Sequence, residues 1–171
     1  MRKSTKKVQQ YAVSKKKPVK QTLKCSTKGF TNLKSNVELR QKVLSLYLDK
    51  FDGKTVVNKK TGIKILFNSE GARKTTHGGS MYAEKAALIT ILDKICRQGH
   101  LYSLGKAKEQ DIAKGVLCFL NFKTNVIIDD KMEVVKFSVR VMKDGTFHYH
   151  IDIPIKFENE KSAEVTVHTL K

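Results

Sequence analysis

Between Val116 and Ile153 the hydrophobic period of the chain changes from 3.6 to 2, and this change constrains the fold more than any other feature. Val116, Cys118, Leu120 and Phe122 alternate with Leu117, Phe119, Asn121 and Lys123. Leu117 and Phe119 are apolar too, so this strand is expected to be covered on both faces for much of its length. Val126 to Ile128 begin another strand, and Asp129-Asp130-Lys131 reads as a turn. Val135, Phe137, Val139 and Val141 alternate with Lys136, Ser138, Arg140 and Met142. After Lys143-Asp144-Gly145, Phe147, Tyr149, Ile151 and Ile153 alternate with His148, His150 and Asp152. Pro154 weakens the end of that strand or puts it at an edge, and Ala163 to Thr169 can add one more. Strands joined by such short turns pair antiparallel.

The last hairpin can be registered from its own residues. A two-residue turn at Asp144-Gly145 would set Arg140 opposite Tyr149 and mix polar with apolar faces. A three-residue turn through Lys143, Asp144 and Gly145 pairs Val141 with Phe147, Val139 with Tyr149 and Phe137 with Ile151 on one face. On the other face it pairs Arg140 with His148, Ser138 with His150 and Lys136 with Asp152. A one-residue slip exchanges the faces, so the register that keeps one face apolar is expected. Gly145 then takes the left-handed position of such a loop.

Helical periodicity comes earlier in the chain. Asn36 can cap a helix from Val37 to Lys50 with the stripe Val37, Leu44, Tyr47, Leu48 and Phe51. Thr55 to Asn58 and Ile63 to Phe67, around a Gly-containing turn, read as a hairpin. Asn68 to Ser80 reads as a polar loop. Ser80 or a neighbour then caps a second helix over Tyr82 to Gln98, with Leu88, Ile91, Leu92 and Ile95 inward and Lys85, Lys94 and Arg97 outward. Leu101 to Lys114 is ambiguous, with a short helix open to Glu109–Lys114. These elements predict an α+β domain over residues 36–171, preceded by a basic arm over residues 1–35.

Charge defines the arm. Arg2, Lys3, Lys6, Lys7, Lys15, Lys16, Lys17, Lys20, Lys24, Lys28 and Lys34 precede the first acid, Glu38; they supply +11 of the formal +18 and leave +7 for the rest. A like-charged tail repels itself and is expected to be disordered alone. Its counterpart is a polyanion, because each phosphate neutralised releases a counterion. Nucleic acid is therefore the expected partner, with a larger assembly as a second setting. No apolar run reaches the ~20 residues of a membrane helix, and no apolar stretch follows the basic start as in a signal peptide. Lack of acids is also a transit-peptide trait. Cys25, Cys96 and Cys118 are far apart and form no CxxC pair, which argues against zinc or a disulfide framework. A reducing, cytoplasmic setting is expected, and no metal or cofactor is implied.

Two places could carry chemistry. The polar face of the last hairpin offers Arg140, His148, His150, Ser138, Lys136 and Asp152: imidazoles to move protons and cations to bind phosphate. An ordinary solvent-facing sheet surface explains the same pattern. The loop Gly71 to Ser80 holds Arg73, Lys74, His77 and three glycines just before a helix, a setting suited to an anion or to a flexible connector. A weaker cluster is Asn121, Phe122 and Lys123, where Phe122 reads as core before it reads as a stacking platform.

The strings "GARKTTHGG", "NFK" and "GTFHYH", in this element order, resemble the large polyvalent protein-associated domain grouped with the barnase–EndoU–colicin–RelE-like nuclease fold. The resemblance covers roughly Gly53 to Ile153 and implies a protein of phages or conjugative elements. It also implies helices followed by a four-stranded antiparallel sheet, and a metal-independent ribonuclease ancestry in which a 2′-hydroxyl attacks the adjacent phosphate. Carried onto this sequence, Lys74 would stabilise the phosphorane, and His77 or His148 would move protons, beside Arg140 and His150. The expectation is thus a nucleic-acid-binding protein with endoribonuclease activity, located in a host cytoplasm or a virion. A non-catalytic binding or structural protein held by its arm is the alternative. Under the first reading Lys74, His77, Arg140 and His148 must converge on one concavity.

Overall fold

A computed structural model describes residues 22–77 and 81–150. The order is β1 (Leu23–Cys25), α1 (Asn36–Lys50), β2 (Thr55–Val57), β3 (Lys64–Leu66), α2 (Ser69–His77), α3 (Ala83–Ile89), α4 (Leu92–Gln98), β4 (His100–Lys106), α5 (Glu109–Ile112), β5 (Val116–Ile128), β6 (Lys131–Met142) and β7 (Phe147–His150). The strands make one seven-stranded mixed sheet in the order β1-β5-β6-β7-β3-β2, with β4 also on β5. It curls into a half-barrel.

The α+β class holds, but the four-stranded antiparallel sheet of barnase or RelE type does not. Periodicity shows that a segment is a strand without showing its partner, and three partners came from outside the alternating region. β1 lies in the basic arm and pairs parallel with β5 through Leu23↔Val126. The β2–β3 hairpin, registered Val56↔Ile65 as a simple hairpin requires, joins the sheet by parallel pairing of Ile65 with Phe147. β4 comes from the ambiguous stretch and pairs antiparallel with β5. The stretches read as separate strands at 116–123 and 126–128 are one continuous β5. The arm's expected disorder is overturned for residues 22–34: Leu23 and Phe30 are buried, and this segment adds an edge strand. Its preceding residues, Arg2 to Lys20, lie outside the described residues.

The β6–β7 hairpin has the predicted register, with Val141↔Phe147, Arg140↔His148, Val139↔Tyr149 and Ser138↔His150. Gly145 has φ +84° and donates to the Met142 carbonyl at 3.0 Å. The expected pairs of Ile151 and Asp152, the Pro154 effect and the 163–169 strand lie outside the described residues. The β5–β6 turn is the two-residue kind, with Ile128↔Lys131 and φ of 44° and 70° at Asp129 and Asp130.

Helix assignments shift more. The α1 cap is Ser35, whose hydroxyl accepts from the Glu38 amide at 3.2 Å; Asn36 instead donates to the Met81 carbonyl. The buried ridge is Leu39, Val43 and Tyr47, with Phe51 after it, while Val37 and Leu48 of the expected stripe are exposed. The polar segment read as a loop is α2. Asn68 opens it, its side-chain oxygen accepting from the Gly71 amide at 2.9 Å. The single helix expected over 82–98 is two, α3 and α4, broken at Thr90-Ile91. There Thr90 donates its hydroxyl back to the Ala87 carbonyl, and Ile91 leaves helical geometry with ψ of 23°. Lys85, expected outside, is buried. Ser80 lies outside the described residues.

Helices α1, α3 and α4 cover the apolar sheet face. Tyr47, Phe51, Phe67, Phe137 and Tyr149 form its aromatic centre, and Phe122 stacks on Phe137 at 5.1 Å. Phe122 is therefore core. Cys25, Cys96 and Cys118 are free thiols, with Cys96 buried. Among the described residues no helix is long and apolar enough to cross a membrane.

Candidate functional site

The side chains that alternate with this core make the opposite sheet face, and pairing sets them in rows. One row runs Ser103, Asn121, Ser138, His150: Ser138 donates to the Asn121 carbonyl oxygen at 2.8 Å, and the Asn121 amide donates to the Ser103 hydroxyl at 3.0 Å. A second runs Phe119, Arg140, His148. A third brings Lys123 opposite Lys136, each ammonium 5.6 Å from the ring centre of Tyr102 on β4. Lys123 and the Tyr102 ring are exposed, whereas Ser138, Arg140 and His150 are buried. An ordinary solvated sheet face would not show this burial.

Helix α2 reaches this face because of a glycine. Where β3 ends, α2 runs on along β7, and Gly71 is the point of closest approach. A Cβ there would lie 2.8 Å from the Tyr47 hydroxyl and 3.1 Å from the Tyr149 carbonyl oxygen. The glycine read from sequence as an anion cradle is thus a packing contact. It puts Glu70 beside Arg140, whose Nη1 donates to Glu70 Oε1 at 2.9 Å. Burial alone would raise the Glu70 carboxyl. The Arg140 hydrogen bond and charge, with the charges of Lys74 and Lys114, outweigh it and hold the carboxyl below its ordinary range.

Of the residues expected to converge on one concavity, three lie near one another, and none of them lines either cleft described below. Arg140 and His148 are cross-strand partners, and Lys74 stands one helical turn after Glu70, close enough to act on its charge. His148 faces Asn68 through Nδ1 at 3.5 Å and the Thr146 hydroxyl through Nε2 at 2.9 Å. His77 stands apart at the far end of α2, exposed, its Nδ1 within 2.8 Å of the Thr76 hydroxyl. Arg73 is exposed on α2. His150 is buried with its ring centre 5.3 Å from that of Phe119. Glu70, Asn68 and Tyr102 were missed from sequence. Glu70 lay in a segment read as loop, so its helical spacing from Lys74 was invisible.

Two clefts lie elsewhere, at the β5–β6 turn, of about 430 and 390 Å³, sharing Asp129 in their walls. Asp129 accepts from the Ser26 hydroxyl at 2.9 Å and the Thr27 amide at 3.1 Å, which ties β1 to that turn. Among the described residues no group of three His, Cys, Asp or Glu could hold a metal.

Residues 34–149 match the family described as large polyvalent protein-associated domain 3. No curated protein and no solved structure matches the chain. The match carries the domain family and does not extend to the barnase-like nuclease group.

Proposed function

We propose, for a chain that belongs to the large polyvalent protein-associated domain 3 family, that the polar sheet face binds single-stranded nucleic acid. The observation that carries this reading is the Tyr102 ring, 40% exposed, with the ammoniums of Lys123 and Lys136 each 5.6 Å from its centre. A base stacks on the exposed ring as the ammoniums that lie over it turn to the phosphates beside it; this pairing of stacking and charge suits single strands of any sequence. Arg140 lies on the same face, and the charges of Lys74 and Lys114 act beside it on Glu70. The sequence adds the excess of the first 34 residues, which gathers a polyanion without regard to sequence.

The test is the salt dependence of binding to a labelled single strand. Lys123→Ala is expected to flatten the slope of log K against log salt by about 0.7, the share of one phosphate contact. An unchanged slope would remove Lys123 from the interface.

A second reading, endoribonuclease chemistry, is favoured by one juxtaposition: His148, half-buried and next to Arg140, pairs a proton carrier with a phosphate-binding cation. RNA cleavage in EDTA that is lost in His148→Ala and kept in His77→Ala would support it. Intact RNA with wild-type protein would refute it.

A further inference from the structure

Arg140 is only half used. Its side chain is 5% exposed, and Nη1 is spent on Glu70. Nε and Nη2 are buried with no hydrogen-bond partner among the described residues. These two nitrogens form the side-on edge of the guanidinium, whose parallel N–H groups match two oxygens of a phosphate or carboxylate. Leaving such donors buried and unmatched is costly, and an oxyanion removes that cost. The charge around the edge points the same way. Arg140, Lys74 and Lys114 all act on the Glu70 carboxylate. A phosphate monoester, at about −1.5 to −2, answers these cations more fully than a diester or carboxylate does.

From this we infer that Arg140 receives the terminal phosphate of a nucleic-acid strand, an inference that rests on the nucleic-acid reading of the same face. Burial makes the end-on choice. An internal phosphate continues into chain on both sides and cannot follow a guanidinium this far under the surface. A terminal phosphate can. It takes Nε and Nη2 while Glu70 keeps Nη1, with Lys74 and Lys114 flanking it. The strand then leads away over Arg140 toward Lys136, Lys123 and Tyr102.

The experiment compares full-length protein with one short oligonucleotide in three forms: 5′-phosphate, 3′-phosphate and hydroxyl at both ends. One phosphorylated form is expected to bind about tenfold tighter than the hydroxyl form, the effect of one added charge-assisted contact. Inorganic phosphate should remove that advantage and leave hydroxyl-form binding in place. Arg140→Lys, which keeps the charge and loses the side-on edge, should bring all three forms to equal affinity. Lys114→Ala, at an exposed position, should shrink the advantage without unfolding the protein, and so keeps the test sound if Arg140→Lys is unstable. Equal wild-type affinity for all three forms would overturn the end site and leave the sheet-face reading standing. Binding of none of the three would overturn that reading and the end site with it.

Discussion

On β6 and β7 the two faces of the sheet alternate residue by residue, and each has a buried part. Phe137, Val139 and Tyr149 pack into the aromatic core, while Ser138, Arg140 and His150 lie under the opposite face. The first face is held by contact area, which is non-directional and tolerant of detail. The second depends on named partners: Ser138 on Asn121, Arg140 on Glu70. Buried ion pairs add little net stability, because desolvation offsets attraction, and apolar replacements of the same size are often as stable. The comparison therefore separates tasks. The apolar face makes the fold, and the polar face, which we propose binds nucleic acid, adds little net stability.

The largest effect should come from the apolar face. Phe137→Ala is expected to lower unfolding free energy by about 3–5 kcal/mol in a denaturant titration. A loss under about 1 kcal/mol would mean that this face is not the core. Next is the contact joining the faces. Gly71→Ala adds a methyl 2.8 Å from the Tyr47 hydroxyl and 3.1 Å from the Tyr149 carbonyl. It should cost about 1–3 kcal/mol despite alanine's better helix propensity, and should weaken phosphate-end binding by displacing Glu70. A rise in Tm would show that α2 can shift freely.

The polar face should answer to pH. The folded-state carboxyl of Glu70 titrates below its unfolded value. Its stabilising effect is therefore present above about pH 4.3 and is lost as pH falls through the lowered folded value. The Tm gap between wild type and Glu70→Gln should be steady near neutrality and close in acid. A gap that persists at acid pH would mean the glutamine shape, and not the charge, is at fault. Smallest in stability is Tyr102→Ala, within about 0.5 kcal/mol as an exposed edge-strand change. It should still reduce single-strand affinity by roughly tenfold, since stacking one base contributes about 1–3 kcal/mol.

Legibility followed the same division. The β6–β7 register was readable because strict alternation and Gly145 leave one arrangement with an apolar face. A turn at Asp129-Asp130-Lys131 was legible from residue type, though Lys131 proves to be the first residue of β6. Helix α2 was not: Gly71, Thr75 and Thr76 are poor helix formers. The helix is held by the Asn68 cap and by tertiary contacts with Tyr47 and β7. With α2 hidden, Glu70 was hidden, and the burial of Arg140 with it. Arg140, His148 and Lys74 were chosen from residue type and do assemble, while His77 was placed with them by proximity in sequence alone. The β1, β4 and β3–β7 pairings join segments far apart in the chain, and short strands carry too few residues to announce a partner.

The most direct test is a contact map. Single-stranded RNA carrying a photoreactive base is crosslinked to the full-length protein, and the modified residues are read by mass spectrometry. The account predicts adducts on Tyr102 and its neighbours on β4–β6, lost in Tyr102→Ala. Adducts confined to residues 1–21, unchanged in that variant, would contradict it.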